Sequence, residues 1–237
     1  MEAEVNLSSR RSIALCLSLG VLLVGLLWWR SFSSSRQLQG ASGATINKQP
    51  AVFARRTFDP AARPADMPPL APDEEAECDS NFMSNTSVGG QARQTDATHA
   101  TVTVTQVKMT LQLNITIWVP EGVTAHVAEH EEGHRQISEH YYQTADTLAE
   151  RIAAAYLGKQ VLITGADLEV EFSKLLKQLG SEITDQYNKG LNPEPAQLRY
   201  DSITDRSRNE IVARDAVAQA LEETAPASAR AQSNSGN

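Results

Sequence analysis

The sequence predicts an α+β fold, in which a small antiparallel sheet packs on a long helix and a second helix, behind an N-terminal transmembrane helix. Three observations predict it. Residues 107–119 alternate apolar and polar side chains without interruption, two later stretches repeat apolar residues at intervals of three and four, and Ile13 to Trp29 contains no charge. Period two marks a strand with one buried face, and period 3.6 marks a helix with one buried stripe.

In chain order, the first element is the run IALCLSLGVLLVGLLWW. Its length lies at the short end of what crosses a bilayer as a helix, roughly 17 to 25 residues. Trp28 and Trp29 stand where an interfacial aromatic belt would form, with Arg30 beyond them. A signal peptide needs a small-residue cleavage site close behind, and Ala41-Ser42-Gly43-Ala44 is distant, so an uncleaved anchor is the preferred reading. A buried core helix fits poorly with Arg10 and Arg11 just before the run. Ser9-Arg10-Arg11-Ser12-Ile13 also resembles the start of a twin-arginine export signal. Arginines flank both ends, so the long polar remainder decides orientation. The expected location is the bacterial inner membrane, single-pass, with the domain in the periplasm.

The expected organisation is a cytoplasmic stub and anchor over 1–30, a linker over 31–77, a folded domain over 78–224 and a disordered tail over 225–237. The linker is rich in Ser, Ala and Pro, lacks apolar periodicity, and has prolines too often for helix or central strand. A net charge of −8 argues against non-specific nucleic-acid binding, which needs clustered Lys and Arg. Cys16 lies in the apolar run and Cys78 outside it, so no intrachain disulfide is expected.

Val107, Met109, Leu111, Leu113, Ile115, Ile117 and Val119 define the buried face of the strand. Val102 and Val104 continue in the opposite phase, which predicts a bulge or turn near Thr105-Gln106. Pro120-Glu121-Gly122 ends the strand. A long helix should then run from about Thr124 to Leu157, with Gly158 as its stop and His130, His134, Ile137, Tyr141, Ala145, Leu148 and Ile152 on one stripe. A second helix should span about Asp167 to Lys189, broken by Asn192-Pro193-Glu194-Pro195, and a last polar helix Arg208 to Glu222.

His130-Glu131-Glu132-Gly133-His134 carries the chemistry. Two histidines four residues apart on a helix differ in direction by about 40° and lie about 6 Å apart along the axis, so both imidazoles can converge on one Zn2+ ion. Glu131 follows the first ligand directly, beside the ion but not on it, where it can act as general base in hydrolysis. Without a metal, this would be an ordinary solvated helix face, but two histidines on an apolar stripe then need other buried partners. The strand over 107–119 would border the cleft and pair with an extended peptide substrate. The third ligand is open. His140 points about 120° away from His134 if the helix continues, His126 lies one turn too far back, and His99 precedes the strand.

With these residues in view, the region from about Cys78 to Asn209 resembles the bacterial predicted secreted zinc-dependent proteases. The matching features, in order, are Val107 to Pro120, HEEGHRQIS, a leucine-bearing helix, and Tyr200-Asp201-Ser202-Ile203-Thr204. The resemblance implies a zinc-dependent peptidase or amide hydrolase acting on peptide or protein, with His130 and His134 on zinc, Glu131 as base and Tyr200 stabilising the oxyanion. The family usually continues Y-D-x-x-T-x-H-G, where this chain has Arg206 and Ser207. Arginine offers no lone pair to a metal. Asp201, Asp205 and Glu210 are then the nearest oxygen donors, and the alternative is a degenerate, non-catalytic zinc-binding or interaction module of the envelope. The family's second cysteine is also missing, since Gly165-Ala166 occupy its region.

Overall fold

Residues 43–72 and 74–225 are described by a computed structural model. The expected anchor over 13–29, with Cys16, and the tail beyond Ala225 lie outside the described residues. No helix among the described residues is long and apolar enough to cross a membrane. Among the described residues there are five strands, β1 (Gly43–Lys48), β2 (Val52–Phe58), β3 (Glu77–Gln94), β4 (His99–Pro120) and β5 (Gln160–Thr164). The described residues also form the helices α1 (Ala125–Gln143), α2 (Ala145–Tyr156), α3 (Leu168–Gly190), α4 (Glu194–Thr204) and α5 (Ala213–Thr224).

Strand β4 is the spine of the sheet, and its alternating sequence explains why. Val107, Met109, Leu111, Leu113 and Ile115 are all buried and join residues of α2 and α3 in the main core, while Ile117 is buried in a smaller cluster with Ala76 and Val119. The intervening residues from Lys108 to Thr116 are exposed or half-buried on the other face. The expected bulge is present. Gly89 pairs with Gln106 but Gly90 pairs with Val104, so Thr105 is the extra residue on β4. The bulge brings Val102 and Val104 into burial beside Val107 despite their opposite phase. At that point a side chain on Gly90 would meet the Thr103 carbonyl at 3.0 Å.

The fold is mixed α/β, and the sheet is not antiparallel throughout as the sequence suggested. Strand β3 runs antiparallel along nearly all of one edge of β4. On the other edge β5 pairs antiparallel with residues 99–103, while β1 and β2 pair in parallel with residues 106–111 and 114–120. Both parallel strands lie inside the stretch read as a disordered linker. Apolar alternation could not reveal them, because they are short and edge-paired: β2 buries only Phe58, and in β1 it is Ile46 that packs on the main core. Their stability comes from backbone pairing to an already ordered strand.

The long helix expected over 124–157 is two helices. Thr124 caps α1 by accepting from the Val127 amide, at 3.3 Å. Chain direction changes at Thr144, where φ is −100° and ψ 7°. Lys48 of β1 donates to the Gln143 carbonyl at 2.7 Å and pairs with Asp146 at 2.9 Å, satisfying the end of α1 and the start of α2 together. Gly158, at φ +77°, follows α2 as expected. Asp167 caps α3 through the amides of Glu169 and Val170. Helix α4 was not foreseen. Its prolines, read as breakers, sit at the helix start, where a missing amide hydrogen leaves no bond unmade. Helices α4 and α5 form a second small core on Ile137 of α1.

A chain beginning at Ser42 should therefore keep β1 and β2, whereas one beginning at Asp59 should lose them and unfold at clearly lower denaturant. Equal midpoints for the two truncations in urea would mean that residues 43–58 add nothing to stability.

Candidate metal centre

Helix α1 presents His130 and His134 on the side facing α4, and α4 presents Asp201 and Gln197, again four residues apart. The two pairs meet. His134 Nε2 lies 3.0 Å from Asp201 Oδ1, His130 Nε2 3.3 Å from the same oxygen, and the two Nε2 atoms 3.1 Å from each other. Three ligand atoms so close together could hold a metal ion.

The approach of the two helices depends on Gly133. A Cβ at that position would sit 2.1 Å from the Tyr200 hydroxyl oxygen. Tyr200 is fully buried, donates its hydroxyl to the His130 carbonyl at 3.1 Å, and stacks on the His130 ring at 5.0 Å. Its hydroxyl is thus committed to the backbone of α1 and does not line the cleft. Tyr200, expected from the sequence to stabilise an oxyanion, is placed here against the backbone and ring of His130.

Gln197 was not foreseen. Its Nε2 donates to the His134 carbonyl at 3.1 Å and to Ser138 Oγ at 3.0 Å, which turns its Oε1 toward His134 Nδ1 at 2.6 Å. His134 then carries a proton on Nδ1, which leaves Nε2, beside Asp201 Oδ1, as the atom that could face a metal ion. Ser138 in turn donates to Ser80 of β3 at 2.8 Å, so the chain of bonds reaches the sheet. His130 has no such support: its Nδ1 is buried without a hydrogen-bond partner. The available signal for Gln197 was its four-residue spacing from Asp201, legible only once 194–204 is known to be helical.

Of the three acidic candidates only Asp201 joins the histidines; Asp205 and Glu210 are outside the group. His126 and His140 are exposed and stand apart from the cleft, and His99 pairs with Asp96. Arg206 lines the cleft and donates to the Pro72 carbonyl at 3.3 Å. It lies in a turn of three left-handed residues, Asp205, Arg206 and Ser207, at φ 47°, 51° and 63°. The glycine of the resembled motif would suit the last of these; serine is strained there. Cys78 is free, with Sγ 3.8 Å from Ser80 Oγ, and burial followed by the nearby Glu131 charge raises its pKa.

Glu131 borders the same cleft, which has a volume of about 740 Å³. It is 5% exposed, and burial pushes its pKa up to about 7 against the lowering effect of His134. Burial also lowers His130. For His134 burial pulls downward, but the bond to Asp201 and its charge prevail and lift the pKa to about 9. Asp201 shows the converse: burial pushes it up, and the two histidines hold it below the ordinary carboxylate range.

Comparison of the chain with models of protein families, with curated proteins and with solved structures finds no match.

Gly133→Ala must displace Tyr200, so unfolding free energy should fall by about 1–3 kcal/mol, the usual cost of overpacking; an unchanged urea midpoint would contradict the contact. The metal-free pair has its own pH signature. An unfolded histidine titrates near 6.5 (about), so the raised pKa of His134 gives stability fully present below that pH and lost as pH rises through about 9. Melting temperature in chelator should fall across this window, and Asp201→Asn should remove most of the fall.

Proposed function

We propose that this chain is a zinc-dependent peptidase or amide hydrolase of the HExxH type, tethered to the bacterial inner membrane by residues 13–29 with its domain in the periplasm. The observation that carries the reading is the convergence of His130 Nε2, His134 Nε2 and Asp201 Oδ1 beside Glu131 in one cleft. Zinc bonds of about 2.0–2.2 Å in a tetrahedral arrangement separate ligand atoms by about 3.4 Å. The observed separations of 3.0, 3.1 and 3.3 Å suit such an ion. Three protein ligands also leave the fourth position open, as catalytic zinc sites require. Asp201 supplies what Arg206 cannot, which is consistent with the sequence resemblance to the secreted zinc-dependent proteases.

A bound zinc ion would polarise the substrate carbonyl and lower the pKa of a water molecule. Glu131, nearly buried and with its pKa near 7, accepts the proton of the attacking water and delivers it to the departing amine. Asp201 and Gln197 hold His134, and Tyr200 holds His130, so the two rings need no rearrangement. The strand expected to guide the substrate was that over 107–119, but both edges of β4 are already paired. Strand β3 is the suitable one. Glu77, Cys78, Asp79 and Ser80 all line the cleft, odd and even positions alike. A strand that borders a cleft with consecutive residues presents its edge, not a face.

Arg206 favours a second reading, in which zinc is held without hydrolysis and the domain serves as an interaction module. Zinc content and peptidase activity of the purified full chain separate the two. We expect about one zinc per chain in wild type and in Glu131→Gln, with peptide hydrolysis reduced about 10²- to 10⁴-fold in the variant, the usual worth of a general base. Asp201→Ala should lose both metal and activity. Wild type free of zinc at neutral pH would reject the hydrolase; zinc without hydrolysis would select the module.

A further inference from the structure

The cleft carries carboxylates that the hydrolysis does not use. Beside Glu131 and Asp201, five more line it, against two guanidinium groups. Glu74, Glu75, Glu77 and Asp79 stand along the approach to β3 and its first residues, and Glu194 opens α4 on the opposite wall. None of these five forms an ion pair with a lysine or arginine among the described residues. The arginines are Arg206 and Arg208, which leaves these five carboxylates in excess over the guanidinium groups. Arg206 is bonded to the Pro72 carbonyl, and Arg208 donates to the Asp205 carbonyl at 3.2 Å.

Two further observations point to a ligand. Glu131 is 95% buried, faces the cleft, and has no hydrogen-bond partner among the described residues, so its carboxylate awaits a donor from outside the chain. The outer edge of β3 has no partner strand among the described residues, and the segment Glu77–Ser80 brings that edge to the cleft. Unpaired amide and carbonyl groups there match the backbone of an extended peptide. Glu77 is half-buried, and its pKa is raised first by that burial and then by Glu74. A buried carboxylate without a cation is relieved by one that arrives with a ligand.

We infer that the cleft binds an extended peptide segment carrying lysine or arginine, its backbone paired with the outer edge of β3 and its cations set among Glu74, Glu77, Asp79 and Glu194. The inference rests on the hydrolase reading for the position of the bond to be cut, but its charge preference is measurable without turnover. Successive residues of the bound segment would point to opposite sides of the β3 edge, so alternate positions should carry the preference.

The test uses the zinc-loaded full chain with Glu131→Gln and two labelled alanine-based peptides, identical except that alternate residues are lysine in one and glutamate in the other. Fluorescence anisotropy at low salt should show the lysine peptide binding about tenfold or more tightly, a difference of about 1.4 kcal/mol. Methylating alternate backbone amides of the lysine peptide should weaken it about tenfold, since each strand-pairing donor is lost. Glu77→Gln combined with Glu194→Gln should bring the two peptides close to equal affinity. Should that variant fold poorly, raising the salt with the unaltered cleft should compress the preference in the same way. Equal affinity for both peptides, or binding indifferent to amide methylation, would overturn the proposal. Selective binding by a wild type that cleaves neither peptide would remove the hydrolase and keep this preference. Cleavage of both at equal kcat/KM would do the reverse.

Discussion

A methyl group at position 133 would occupy space that the ring of Tyr200 already fills. That exclusion sets how closely α4 can lie against α1, and the metal centre is a product of that closeness. Tyr200 reaches the backbone of α1, Asp201 follows it in sequence and faces both histidines, and Gln197 stands one turn earlier on the second nitrogen of His134. These contacts, spread over about one turn of α4, thus depend on one missing side chain. The candidate metal ligands are carried by helices that pack on each other through Ile137, Ala196 and Ala216, all fully buried.

The sheet supplies the second half of the site. Strand β4 is paired on both edges, and among the described residues β3 is the strand that lines the cleft and has an edge without a partner strand. The hydrogen-bond chain Ser80, Ser138, Gln197, His134 ties that strand to a ring of the candidate metal centre. A chain seated on β3 would therefore lie on an element already in register with the chemistry, through contacts no longer than ordinary hydrogen bonds.

Legibility of the fold followed from how each element is stabilised. Strand β4 and helix α3 bury one face along their whole length, and both were readable from periodicity, as was the bulge at Thr105. Strands β1 and β2 were not, because pairing to one edge of β4 needs backbone groups and almost no apolar side chains. The break at Thr144 also escaped, since the apolar stripe runs through it; the lysine that ends α1 comes from β1, nearly a hundred residues away in sequence. At the site, His130, His134 and Glu131 were fixed by a spacing within one helix. Asp201 was one of three acidic choices, and only the left-handed turn that stops α4 at Asp205 explains why the other two diverge. Gln197 depended on a helix whose prolines argued against it.

An unpaired strand edge is also a hazard, because it can pair with the same edge on another molecule. Two copies of β3 meeting at Glu77–Ser80 would bring Glu77 and Asp79 of one against those of the other, with the carboxylates of Glu74 and Glu75 close by. The resulting repulsion makes self-association at that edge unfavourable, while leaving it open to a strand of opposite charge. The acidic border of the cleft thus disfavours pairing of the chain with its own copies along this stretch of β3.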